Sequence, residues 1–193
     1  MTRAVWQNLL DQTKAAFEQH PDLSGFCAFP DDLRNQEVVP YTAPCASYLA
    51  RETGLFSPHH ARLRDAFVRA GPHAHWRETY KGTAIGQDFM DRFGCYCLIG
   101  DGGAFISTTM WAFVVYMPPR LSYPFHHHPA EELYFVIAGE AEFMREGEPN
   151  EVLRAGATSM HQSNQPHAMQ TYEHPVMCMV LWRNGFETLP VLT

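Results

Sequence analysis

The run His126-His127-His128-Pro129-Ala130-Glu131-Glu132, followed by Gly139 and much later by His167, decides how this chain is read. A strand alternates its side chains between two faces, so His126, His128 and Glu132 share a parity and can point into one interior. Tyr134 has the same parity, which sets a phenol beside the imidazoles and the carboxylate. Three imidazoles and a carboxylate suit a first-row divalent ion. No thiolate belongs to the group, which argues against a closed structural zinc site. The expectation is one divalent ion, Fe(II), Zn(II), Mn(II), Ni(II) or Co(II), held by His126, His128, Glu132 and His167. Six-coordination would leave positions open for a substrate, so the pattern points to chemistry at a metal.

Outward from this run the chain has two textures. From about residue 95 onward, short β-prone runs alternate with turns: CYCLIG, AFISTTMWAFVVYM, EELYFVIAG, EAEFMRE, EVLRAG, HAMQTYE and VMCMVLWR. Strands at that spacing predict a sandwich or barrel over 96–193. Residues 1–95 read as a helical extension packing on that barrel. Val5, Leu9, Leu10, Ala16 and Phe17 recur at helical spacing. Ser57-Pro58 reads as a helix start and Gly71-Pro72 as its stop, which predicts a helix over 59–70. The stretch from Pro21 to Pro44, rich in Pro, Asp and Asn, reads as loop.

Composition narrows the function classes. With 193 residues and 46% hydrophobic content, the chain can bury one substantial core. A formal charge of −7 with scattered basic residues argues against a nucleic-acid binder. No apolar stretch reaches the length of a membrane span, and the start lacks the apolar core of a signal peptide. The five cysteines, Cys27, Cys45, Cys95, Cys97 and Cys178, form no CxxC pair and are odd in number, which suits reduced thiols in the cytoplasm.

The spacing His-x-His-x3-Glu-x6-Gly (His126, His128, Glu132, Gly139) resembles the first motif of the cupin superfamily. Gly156, eleven residues before His167, matches the Gly-to-His interval of the second motif. There are departures: Arg120 stands for the leading Gly of motif one, Gln162 and Asn164 for the Pro and Gly of motif two, and Thr171 for its last Asn. The resemblance implies a mainly β fold, a single cupin (double-stranded β-helix, jelly-roll) barrel. Within the superfamily the chain resembles the dimethylsulfoniopropionate (DMSP) lyases of the DddQ type. The similarity is carried by Tyr123 to Tyr134, by His167 and by a strand ending at Trp182. It implies cleavage of DMSP to dimethyl sulfide and acrylate at a metal held by His126, His128, Glu132 and His167, with Tyr134 as base and Tyr123 nearby.

Those residue types suit that reaction. Removing a proton next to a carboxylate is hard, because the charge already present resists carbanion formation. A divalent cation on the carboxylate offsets that charge, and a cation near a phenol favours its phenolate. The sulfide leaves neutral and needs no acid. A sulfonium is well held by aromatic faces, each worth roughly 0.5–2 kcal/mol. Tyr123, Tyr134 and Trp182 are the candidate substrate contacts, whereas Phe125, Tyr116 and Trp111 read as barrel core. His127 and Glu131 have the opposite parity and read as facing away. His161 reads as lying outside the metal shell, His73 and His75 as an exposed loop, Tyr80 as part of a lid, and Met177 and Met179 as gap-filling core. Two other functions share this ligand set: an Fe(II) dioxygenase, and a non-enzymatic cupin that binds a small ligand. The expected partner is a small-molecule sulfonium carboxylate, with no nucleic acid and no membrane, in a monomer or homodimer.

Overall fold

Apolar residues three and four apart decide the first element. In the computed structural model, which describes residues 2–193, α1 (Thr2–Gln19) buries Trp6, Leu9, Leu10, Thr13, Ala16 and Phe17. It lies against α4 (Ala61–Ala70), which buries Leu63, Ala66, Phe67 and Ala70. Ser57 is not the cap of α4: its Oγ donates to the Ile137 carbonyl at 2.7 Å, and the helix begins behind His60 without a side-chain cap. The stretch from Pro21 to Pro44 is not all loop, for α2 (Pro21–Phe26) opens on a proline whose missing N–H costs nothing in a first turn. Two further short helices, α3 (Cys45–Arg51) and α5 (Gln87–Arg92), complete the helical part.

Eleven strands follow or interleave: β1 (Arg34–Asn35), β2 (Gly94–Ile99), β3 (Phe105–Ile106), β4 (Trp111–Met117), β5 (Ser122–His127), β6 (Glu131–Arg145), β7 (Glu151–Arg154), β8 (Thr158–His161), β9 (His167–Gln170), β10 (Val176–Arg183) and β11 (Val191–Leu192). Their order is β1-β3-β2-β4-β10-β6-β9-β5-β11, with β7 and β8 also on β6. The long β6 belongs to both halves of the roll. Its first part pairs with β10 and β8, its last part with β9 and β7. This is the double-stranded β-helix of a cupin, mainly β as expected. The runs EELYFVIAG and EAEFMRE are therefore one strand, bent at Gly139. Gly139 has φ +73°, and a Cβ there would overlap the Pro175 carbonyl oxygen, so only glycine fits. The departures from the cupin motifs keep the backbone they replace: Arg120 and Asn164, where glycines were expected, have φ +60° and +58°. The Thr171 hydroxyl, in place of Asn, accepts from Leu121 N at 2.9 Å and donates to Pro118 O at 2.6 Å.

Strand parity divides the interior. Leu133, Phe135, Ile137, Met177, Met179 and Leu181 face outward and pack under α1 and α4 in one core. Tyr134, Val136, Cys178, Val180 and Trp182 face into the barrel in a second core. Both faces of β6 and β10 are thus covered, which is why they read as unbroken apolar runs. The helical residues share their core with the sheet and have none of their own. Among the described residues, no helix is long and apolar enough to cross a membrane.

One polar clasp ties the segment before β1 to the β3–β4 turn. Asp32 accepts from Ser107 Oγ at 2.6 Å, from Thr108 N at 2.8 Å and from Thr108 Oγ1 at 2.7 Å. The Ser107 hydroxyl, followed by the Thr108 amide and hydroxyl, lowers the Asp32 pKa to about 2. Because the folded value lies below the ordinary one of about 4, the clasp stabilises at neutral pH and is lost as pH falls from about 4 to about 2. Asp32→Ala should lower the melting temperature at pH 7 and should differ less from wild type at pH 2. Thermal melts across that range check this, and an offset independent of pH would contradict it.

Candidate metal centre

Register brings the site together. His126 on β5 faces His167 on β9 as a cross-strand pair, and Glu132 on β6 faces His161 on β8 and Trp182 on β10. His128 stands just beyond β5, in the turn before β6. A bulge between Tyr123 and His126 inserts one extra residue against β9. It turns both residues inward despite their opposite parity, and leaves Phe125 exposed. Tyr123 then stacks on His126, with ring centroids 4.0 Å apart and an interplanar angle of 13°.

The expected ligands converge and are each about 2% exposed. The His126 and His167 ring centroids are 4.1 Å apart, those of His128 and His167 5.2 Å. Each of the three rings has its Nδ1 against a backbone carbonyl two residues away: His126 on Pro124 at 3.0 Å, His128 on Ala130 at 3.0 Å, His167 on Gln165 at 2.8 Å. Nδ1–H donates there, so each ring turns Nε2 toward the shared centre, the nitrogen a metal takes from a neutral imidazole. Nε2 of His128 and of His167 is buried without a hydrogen-bond partner. They lie 3.5 and 3.0 Å from Glu132 oxygens, off the hydrogen-bonding direction. Orphaned nitrogens around a carboxylate in an apolar wall fit a divalent cation. His126, His128 and His167 form one such group, and Glu132 with His167 and His161 forms another.

Glu132 is held from both sides. Trp182 Nε1 donates to Oε1 at 2.6 Å, and His161 Nδ1 lies 2.7 Å from Oε2. His161 also has Nε2 3.0 Å from Ser159 Oγ, so both its nitrogens are occupied. It is buried on β8 beside the candidate ligands, with a hold on Glu132 that the sequence does not show. It orients the carboxylate. Trp182, read as a substrate contact, is also a hydrogen-bond donor to Glu132, and its ring lies 4.3 Å from His128.

Electrostatics follow from burial. Desolvation pushes His126 well below the usual imidazole pKa, with His167 adding to it, and burial lowers His161 to about 4. Burial also favours a neutral Glu132, but the neighbouring His128 and His167 hold its carboxyl well below the ordinary range. Burial, then Glu132, push the Tyr134 phenol well above 10 in the protein alone.

A cavity opens onto this group. Its walls include Tyr80, Phe113, Tyr123, His126, Glu132 and Tyr134. Tyr80, read as lid, has its hydroxyl 2.7 Å from that of Tyr123. His127 turns away, as expected, with Nδ1 3.0 Å from Thr193 Oγ1. Glu131 pairs with Arg183 and Asn184 outside the cavity. His75 is exposed and bonds Val39 O through Nδ1, and Tyr116 lies outside the barrel, donating to Glu52.

The chain matches the DMSP lyase family over residues 26–178. It is also 51% identical over 192 residues to the dimethylsulfoniopropionate lyase DddQ of Ruegeria pomeroyi, covering 100% of this chain and 96% of that one. The chain belongs to the DMSP lyase family. The crystal structure of DddQ from Ruegeria pomeroyi superposes with a TM-score of 0.97, covering 98% of this chain and 96% of that one. A second DMSP lyase structure, from a study of RdDddP and RnDddQII, is 36% identical with a TM-score of 0.96 and full coverage of both chains. For a DMSP lyase family member, the barrel and its helical cover are thus shared over the whole length.

Proposed function

We propose that this chain is a metal-dependent carbon–sulfur lyase that cleaves DMSP to dimethyl sulfide and acrylate by β-elimination. The observation that carries it is the convergence of ligand atoms: with each Nδ1 held by a backbone carbonyl, three imidazoles turn Nε2 to one point beside Glu132, with the Tyr134 phenol two residues along the same strand face. Family membership supports the substrate. His126, His128, Glu132 and His167 would hold one divalent ion. When bound, that ion supplies Lewis acidity for the substrate carboxylate and the positive charge that favours phenolate at Tyr134.

The chain's own residues do the rest. Tyr134 Oη takes the proton from the carbon next to the carboxylate, the C–C double bond forms, and the C–S bond breaks with its electron pair leaving on sulfur. Phe113, Tyr123 and Tyr80 wall the cavity with aromatic faces that accommodate a sulfonium in place of water. Burial raises the Tyr123 and Tyr134 phenols alike; Tyr134 is the one that shares a strand face with Glu132, whereas Tyr123 is packed on His126 and linked to Tyr80. Tyr123 shapes the pocket, and Tyr134 is the base. Trp182 and His161 hold the carboxylate of Glu132 so that the ligand set needs no rearrangement. Trp182→Phe removes the N–H along with part of the ring that packs on His128, and should weaken divalent-metal affinity by about 10–100-fold. Competition with a chromogenic chelator measures this, and wild-type affinity would contradict the role. Among the described residues all five cysteines are free, in keeping with a cytoplasmic enzyme.

Anaerobic incubation of the metal-loaded protein with DMSP separates this reading from the dioxygenase that shares its ligands. Dimethyl sulfide and acrylate should appear in equal amounts without oxygen. A requirement for oxygen uptake would move the chain to the other reaction.

A further inference from the structure

The cavity wall carries a single arginine, Arg77. With Thr79 it also lines a second hollow at the surface, whose other walls include His75, Glu78 and Asp101. Arg77 and Thr79 therefore stand between the inner cavity and the outside. Five arginines of the chain are at least partly shielded from solvent: Arg64, Arg77, Arg92, Arg145 and Arg183. Four of them pair with a carboxylate, on Asp65, Asp88, Glu151 and Glu131 respectively. Among the described residues Arg77 is the exception. Its guanidinium carbon sits 5.4 Å from the centroid of the Phe113 ring, and its one side-chain hydrogen bond is long, 3.4 Å from Nη1 to Asp101 O. A guanidinium has five N–H donors in a fixed fork shaped for a carboxylate. Most of them are unused here, at the mouth of a cavity.

The platform under Arg77 is firm. Phe113 packs edge-on against Trp182, with centroids 5.0 Å apart, and Trp182 holds Glu132. The guanidinium is thus positioned from the metal-site side of the wall and free on the side a ligand would pass.

We propose that Arg77 is the carboxylate-recognition residue of the cavity mouth. It takes the carboxylate of the incoming sulfonium carboxylate, and it holds the carboxylate of the unsaturated acid as that product leaves. This rests on the lyase reading above and adds a residue to it. A cation at the mouth sorts small substrates by their anionic end, whereas the aromatic interior sorts them by the cationic end.

Two variants and two ligands test this. Arg77→Met keeps length and contact with Phe113 but removes the charge and the donors; Arg77→Lys keeps the charge alone. For Arg77→Met, KM for DMSP and the inhibition constant of acrylate should each rise about tenfold, with kcat changed far less. Arg77→Lys should fall between it and wild type. Inhibition by tetramethylammonium, which carries only the cationic end, should stay within twofold. Acrylate affinity is also read by calorimetry, without turnover. A wild-type protein that releases no dimethyl sulfide would overturn the lyase function, while the calorimetric comparison still decides on Arg77. KM and acrylate affinity unchanged in Arg77→Met would overturn the role of Arg77, as would equal losses for acrylate and tetramethylammonium.

Discussion

Replacing Tyr134 by phenylalanine should lower turnover of DMSP by about 10²–10⁴-fold, the range a positioned general base supplies. Metal content should stay at the wild-type level. The two halves of that result matter together. Tyr134 is 3% exposed in the barrel, with ring centroids 5.6 Å from Phe143 and 5.4 Å from His161, so removing one oxygen leaves its packing intact. The variant should therefore fold, bind its metal and bind substrate, and fail at proton removal. Steady-state kinetics beside metal analysis reads both halves. Activity retained within tenfold would transfer the base role elsewhere in the cavity.

The second large effect concerns the ligands. Glu132→Gln keeps the volume of the side chain and an acceptor for the Trp182 N–H, but removes the charge that faces three imidazoles. Metal affinity should fall by more than about 100-fold, beyond the 10–100-fold expected for losing a supporting contact, and turnover should fall with it. His128→Ala should behave alike, since its Nε2 has no protein partner to compensate. Near-UV circular dichroism separates loss of metal from loss of fold: both variants should keep the wild-type spectrum of the apo protein. A variant that holds stoichiometric metal would remove that residue from the ligand set.

Much of this site was legible before any coordinates. Parity alone put His126, His128, Glu132 and Tyr134 in one interior, and the motif glycines Gly139 and Gly156 have φ of +73° and +98°. The unbroken apolar runs of β6 and β10 marked strands covered on both faces without saying what covered them. What the sequence hid depends on register. The bulge that brings Tyr123 against His126 leaves no trace in a period of two, and parity on its own would have sent that ring outward. The contact of His161 with Glu132 was not legible because Thr158–His161 is a four-residue strand among turn-forming neighbours, too short to show its period. One signal was there: Ser159 and His161, polar residues two apart, share the face that β6 lays against Tyr134 and Glu132. The start of α4 was misplaced for a related reason. Ser57 has the chemistry of a cap, but the Ile137 carbonyl, 80 residues on, takes its hydroxyl.

The most direct measurement strips the protein with a chelator and titrates one divalent ion back, following dimethyl sulfide by gas chromatography. Release should be near zero in the stripped protein and should rise linearly to a plateau at one ion per chain. Full activity without metal, or no dimethyl sulfide at any loading, would contradict a lyase built on His126, His128, Glu132 and His167.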